Sequence, residues 1–196
     1  MTRTEFRFSG FGGQGVITMA HVLGHGATIH AGLDATMTEA YGPEKTGGFS
    51  RGDVVVDDGT IDYPNVVAPD VVVTLSQDAF ERDAATVADG GLVVVEDALV
   101  KPDAFVDDRP DATLIGVPAV ALAEEVGRKV VANVLLLGTV VELAGTPPLE
   151  AVRDAVTETV PAGTEALNER AFARGREVFS AGDVTGDVAE LQEVSG

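Results

Sequence analysis

The sequence predicts a three-layer α/β/α domain with a mixed, mostly parallel sheet and a helical carboxy-terminal part. Three observations carry this. A glycine bend, Gly10-Phe11-Gly12-Gly13-Gln14-Gly15, joins a short run alternating apolar and polar residues (5–9) to a helix-like run (16–31). The β-branched run at 71–75 reads as a buried parallel strand, 92–96 and 112–117 read as further strands, and the helix pattern at 77–87 between the first two implies a right-handed crossover. From Pro118 to Phe179 the pattern is helical almost throughout.

Taken in order, the first strand and helix are followed by Gly32, a common helix stop, and by a second strand at 34–40. A loop, Tyr41-Gly42-Pro43-Glu44-Lys45-Thr46-Gly47-Gly48, leads directly into a third strand at 49–57, with Asp57-Asp58-Gly59 as a turn. Two consecutive strands joined by a glycine-rich loop argue for a mixed sheet. Ser76 is placed to cap the helix at 77–87, Gly90-Gly91 returns the chain to a strand, and 101–111 reads as a polar loop. Helices are expected at 118–126, 129–144, 149–160 (capped and started by Thr146-Pro147-Pro148) and 164–179. The run 129–144 has almost no polar face, so it belongs in a core or against another chain. Residues 1–180 form one expected domain, and the acidic stretch 181–196 reads as a loosely held tail.

Composition narrows the function classes. Of 196 residues, 32 are acidic and 13 basic, for a net charge of −19, and the only lysines are Lys45, Lys101 and Lys129. Such a surface repels nucleic acid and acidic membranes. Carboxylate enrichment with lysine depletion fits a halophilic, high-salt cytoplasm, the alternative being an acidic face that docks a basic partner. The absence of cysteine excludes disulfides and any cysteine-ligated iron–sulfur cluster on this chain. The longest apolar run is too short for a membrane span of about 20 residues, and strand pattern begins almost at once. A soluble cytoplasmic protein is expected.

The glycine bend carries the clearest chemistry. A helix starting at Val16 would present unpaired N–H groups and a positive dipole end beside Gly12, Gly13, Gln14 and Gly15, which suits a phosphate or carboxylate. The spacing Gly10-x-Gly12-x-x-Gly15 also fits a dinucleotide fingerprint, with Glu39 placed to hold a ribose, so a free-standing NAD(P)-binding Rossmann-like domain is an alternative. Lys45 and Arg51 flank Gly47 and Gly48 and are candidate charge partners for the same anion, or ordinary surface charges. His21 and His25 share a helix face but have no carboxylate on that helix to complete a metal site. Serine-nucleophile, zinc-protease, Walker and thiamine-binding motifs are missing. An anion-binding loop without catalytic machinery points to one subunit of a larger enzyme.

The bend with Val16, then Tyr41-Gly42-Pro43-Glu44 with Gly47-Gly48, resembles the gamma subunit of 2-oxoacid:ferredoxin oxidoreductases. Ile61-Asp62-Tyr63-Pro64, Leu75-Ser76-Gln77, Asn133 with Leu137-Gly138, and Asn168 with Gly175 continue the match over residues 5–176. Ile61–Pro64 and Ser76-Gln77 are most like the 2-oxoglutarate branch; pyruvate, branched-chain and indolepyruvate branches are close relatives. The resemblance implies oxidative decarboxylation of a 2-oxoacid with coenzyme A to acyl-CoA, CO2 and reduced ferredoxin. It implies alpha and beta thiamine-binding subunits and a ferredoxin-like delta subunit as partners. Those partners would carry the thiamine diphosphate, magnesium and iron–sulfur clusters. For this chain it implies a part in assembly and in coenzyme A binding, with Gly10, Gly12, Gly13, Gln14, Gly15, Lys45, Gly47, Gly48 and Arg51 as contacts and no catalytic residue. Relatives carry arginine directly before the glycine pair; here Thr46 occupies that position and Lys45 precedes it.

Overall fold

The computed structural model describes residues 3–43, 47–102 and 105–186. Glu44, Lys45, Thr46 and residues 187–196 of the acidic stretch therefore lie outside the described residues. In chain order the elements are β1 (Thr4–Phe11), α1 (Val16–His25), β2 (Asp34–Tyr41), β3 (Phe49–Asp57), β4 (Val71–Thr74), α2 (Gln77–Asp83), β5 (Leu92–Glu96), α3 (Phe105–Asp108), β6 (Thr113–Val117), α4 (Ala119–Val126), α5 (Ala132–Ala144), α6 (Leu149–Thr159), α7 (Glu165–Glu177) and β7 (Thr185–Gly186).

These strands form one mixed sheet in the order β2-β3-β1-β4-β5-β6-β7. The parallel pairings, β1-β4, β4-β5 and β5-β6, are confined to its centre. The β2-β3, β1-β3 and β6-β7 pairings are antiparallel, so among the described residues parallel and antiparallel pairings are equal in number. β3 lies between β2 and β1 and pairs antiparallel with both.

Strand alternation sorts the two faces. On one face Phe6, Phe8, Val54, Val73 and Ile115 meet α1 and α4–α7 in the larger core. On the other, Val72, Val93, Val95 and Leu114 meet Phe80 of α2 and Phe105 of α3. Phe105, 7% exposed, anchors a four-residue helix inside the segment expected to be loop throughout. The apolar α5 is the centre of the helical layer, with Val134–Val141 buried continuously. It crosses α7 backbone to backbone: a Cβ on Gly175 would lie 1.9 Å from the Leu135 carbonyl oxygen, and one on Gly138 would lie 2.3 Å from that of Phe172.

Several local expectations are met in detail. Ser76 accepts a hydrogen bond from the Ala79 N–H at 3.3 Å, and Asp57 closes its turn on the Gly59 N–H at 2.8 Å. α6 starts after Pro148 with no side-chain cap hydrogen bond, so Thr146 does not cap it. Thr185 and Gly186, placed by the sequence in the loose tail, pair with Gly116 and Ile115 as a short edge strand.

A buried ion pair ties the sheet to its loops. Arg7, 4% exposed, donates to both Asp53 carboxylate oxygens at 3.0 and 2.9 Å, to the Val66 carbonyl at 3.0 Å and to Thr86 Oγ1 at 2.9 Å. This bidentate geometry with extra acceptors is what a desolvated guanidinium needs.

Candidate functional site

β1 ends at Phe11, and its chain crosses to the larger helical layer through α1. The neighbouring β4 leads instead to α2 on the opposite face. The two connections part at the carboxyl ends of β1 and β4, the kind of crevice where open α/β sheets bind ligands. The glycine bend lies there. Gly12 N–H donates to the Gly48 carbonyl at 2.8 Å, and Gly42 N–H to that of Phe49 at 2.7 Å, so the bend and the Gly47-Gly48 loop are joined.

Gln14 braces this arrangement. Its Oε1 accepts from the Phe11 N–H at 2.7 Å and its Nε2 donates to the Leu75 carbonyl at 2.7 Å. The amide thus spans the ends of β1 and β4 and fills the crevice between them. Gly10 leaves room for it: a Cβ there would sit 2.5 Å from Gln14 Oε1. Gly15, at φ +84°, is the cap position of α1, and no side chain caps the helix. The amides of Val16, Ile17 and Thr18 precede the first intrahelical bond, from Met19 N–H to the Gly15 carbonyl at 3.0 Å. Asn133 of α5 packs directly over Gly15.

The open side of the bend faces a groove of about 690 Å³ between α1, α5 and the start of α7. A second recess of about 450 Å³ adjoins it, and Gly13, Gln14, Val130 and Asn133 line both. Arg128 borders the first and Lys129 the second. No carboxylate is among the 17 residues lining the larger groove, although the chain has 32 acids. A helix amino terminus, an arginine and a carboxylate-free wall together favour an anion.

Glu96 lines the smaller recess. It is 2% exposed; its Oε2 accepts from the Val120 N–H at 3.1 Å, while Oε1 has no hydrogen-bond partner. Burial raises its pKa above the ordinary glutamate value, and the Val120 amide opposes the rise.

Of the two candidate charge partners, Lys45 lies outside the described residues and Arg51 is placed differently from the expectation. Gly52 faces Ala20 of α1, so Arg51, one residue before it, projects to the other face of the sheet. There Arg51 stands 3.6 Å from Asp53 and 3.5 Å from Asp83 and contributes nothing to the groove. Arg128 and Lys129 carry no motif-level signal; they reach the bend because the turn before α5 folds over the start of α1. Arg82 is a further cation near the bend on the α2 side, stacked over the Phe49 ring at 3.6 Å and 3.3 Å from Asp83.

Glu39 is displaced from the bend as well. It lies on β2, the edge strand, separated from β1 by β3, and accepts a hydrogen bond from the Tyr41 hydroxyl. A ribose on the glycine bend would be out of its reach, and the crevice itself holds the Gln14 amide, so the geometry does not favour the dinucleotide alternative. His21 and His25 stack with centroids 6.2 Å apart, and the carboxylate missing from their helix comes from Glu158 on α6, 3.0 Å from His25 Nε2.

Residues 5–178 match the family model described as pyruvate ferredoxin/flavodoxin oxidoreductase. The chain belongs to that family. It is 39% identical to the 2-oxoglutarate synthase subunit KorC of Methanocaldococcus jannaschii, over 90% of this chain and 94% of that one. The keto/oxoacid ferredoxin oxidoreductase gamma subunit from Geobacter sulfurreducens superposes with a TM-score of 0.78 at 32% identity, covering 90% of this chain and 96% of the other. The 2-oxoglutarate:ferredoxin oxidoreductase of Magnetococcus marinus, a structure with 2-oxoglutarate, coenzyme A and succinyl-CoA bound, has the same fold in part of a longer chain. There the TM-score is 0.80 at 19% identity, over 92% of this chain and 32% of that one. The chain is thus a gamma-type subunit of an oxidoreductase. No described helix is long and apolar enough to cross a membrane.

Proposed function

We propose that this gamma-type subunit serves a 2-oxoglutarate:ferredoxin oxidoreductase and that its glycine bend and groove receive the phosphates of coenzyme A. The observation that carries the reading is the pairing of an uncapped helix start with Arg128 in a groove lined by no carboxylate, in a chain of net charge −19, with Lys129 in the adjoining recess. In that reaction class a 2-oxoacid loses CO2, electrons pass to ferredoxin and the acyl group passes to coenzyme A, on thiamine diphosphate, magnesium and iron–sulfur clusters held by alpha, beta and delta subunits.

This chain's own residues bind and orient. The Val16, Ile17 and Thr18 amides receive an anionic oxygen, Gly13 lets it approach the backbone, and Arg128 and Lys129 neutralise the remaining charge. Gln14 and Asn133 hold the bend in shape from below and above. Phe11, Tyr41, Leu99 and Val130, exposed around the loops at 37%, 63%, 48% and 67%, form the surface that docks the catalytic subunits in the cytoplasm. The acid-rich surface keeps the chain soluble in high salt.

Arg128→Gln with Lys129→Gln in the assembled enzyme tests the reading. Two lost charge-assisted hydrogen bonds raise the apparent KM for coenzyme A by about tenfold or more, while the KM for the oxoacid stays within about twofold. An unchanged coenzyme A KM refutes the binding role and leaves assembly.

A further inference from the structure

All three histidines of the chain, His21, His25 and His30, gather at one end of α1. Their spacing does not predict this. In a regular α-helix residues 25 and 30 point about 140° apart. The chain instead leaves α1 through a π turn, Gly26–His30, with the Ala31 N–H bonded to the Gly26 carbonyl at 3.0 Å. Widening the turn to five residues brings His30 round to the face that carries His25, and such turns recur at functional sites. Gly26 also lets α6 approach: a Cβ there would lie 2.9 Å from Val152 Cα. That contact sets Glu158, further along α6, opposite the two rings.

The result is a three-point cluster. Glu158 Oε2 lies 3.0 Å from His25 Nε2 and 3.0 Å from His30 Nε2, and the ligand atoms of the three groups are all within 4.8 Å of one another. A tetrahedral zinc ion with bonds near 2.0 Å needs ligand atoms about 3.3 Å apart, so the two histidine–carboxylate separations of 3.0 Å need about 0.3 Å of expansion, and the two imidazoles, within 4.8 Å of each other, are close enough to share the ion after small side-chain adjustments. The side chains are 31%, 19% and 53% exposed, which leaves solvent access for a water ligand.

We infer that His25, His30 and Glu158 form a binding site for a divalent transition ion of the zinc class, with water as the fourth ligand, clipping α1 to α6. Two imidazoles and one carboxylate suit zinc and its borderline neighbours over magnesium or calcium, which prefer all-oxygen sets. The site is about 14 Å along α1 from the glycine bend, so its role is to hold the helical layer together. His21 stacks on His25 but stands outside the ligand set.

Titrating the full chain with Zn2+ by calorimetry tests this, beside His30→Gln, Glu158→Gln and His21→Gln, each checked for native circular dichroism. The expected result is one Zn2+ per wild-type chain, a higher melting temperature with Zn2+, and an affinity at least about tenfold lower in H30Q and E158Q but not in H21Q. Wild-type binding no tighter than that of E158Q overturns the site. A loss in H21Q with none in H30Q also overturns it, because the ion then sits on the ordinary i, i+4 histidine pair.

Discussion

Replacing Gly15 by alanine separates two kinds of strain at the glycine bend. The residue sits at φ +84°, where an alanine costs about 1–2 kcal/mol. Its Cβ would also lie 2.3 Å from Asn133 Nδ2 and 2.8 Å from Asn133 Cγ, and crowding of that kind costs a further ~1–3 kcal/mol. G15A therefore lowers the unfolding free energy by about 2–5 kcal/mol. Only the second part depends on Asn133, so in G15A/N133A the loss shrinks to the backbone part, about 1–2 kcal/mol relative to N133A. Urea denaturation of the four members of the cycle reads both quantities, provided the m-values agree. A G15A loss below about 0.5 kcal/mol, or a cycle with no coupling, refutes the packing of α5 on the bend as described.

Two further perturbations address the buried charges. Arg7→Met leaves Asp53 desolvated with only the distant side of Arg51, 3.6 Å away, for compensation; the expected loss is about 3–5 kcal/mol by chemical denaturation, much of it recovered in R7M/D53L. For Glu96 the folded pKa is above the unfolded one, so the folded state holds a proton that the unfolded state has released. Stability contributed by this group falls as pH rises from about 4.5 towards the raised folded value. Glu96→Gln lacks that fall, so its stability relative to wild type grows with pH across the window and is flat above it; thermal melts from pH 4 to pH 8 check the sign.

Local signals made much of the fold legible. β3 and β5 span the expected 49–57 and 92–96, and the Ser76 cap and Asp57 turn are written in single side chains. Strand order was less accessible, because nothing in β3 itself says that it also pairs with β1. The same limit applied at the site. The glycine bend was visible, but its cations are set by tertiary folding: Arg128 and Lys129 arrive from more than a hundred residues away. The facing of Arg51 was readable in principle, since strand alternation puts it opposite Gly52, which has to lie against α1. His30 and Glu158 left no local trace, because a π turn and a helix crossing bring them together.

Gly13 offers the most direct measurement of the coenzyme A assignment. It has φ +97° and nothing within 4 Å of a Cβ position, so a leucine there projects into open space at the groove. Gly32, at φ +67° with equally open surroundings, is a matched control at the far end of the first helical run. The assembled oxidoreductase carrying Gly13→Leu is expected to show an apparent KM for coenzyme A raised tenfold or more at an unchanged oxoacid KM, with Gly32→Leu indistinguishable from wild type. A coenzyme A KM that is the same in all three enzymes contradicts the account.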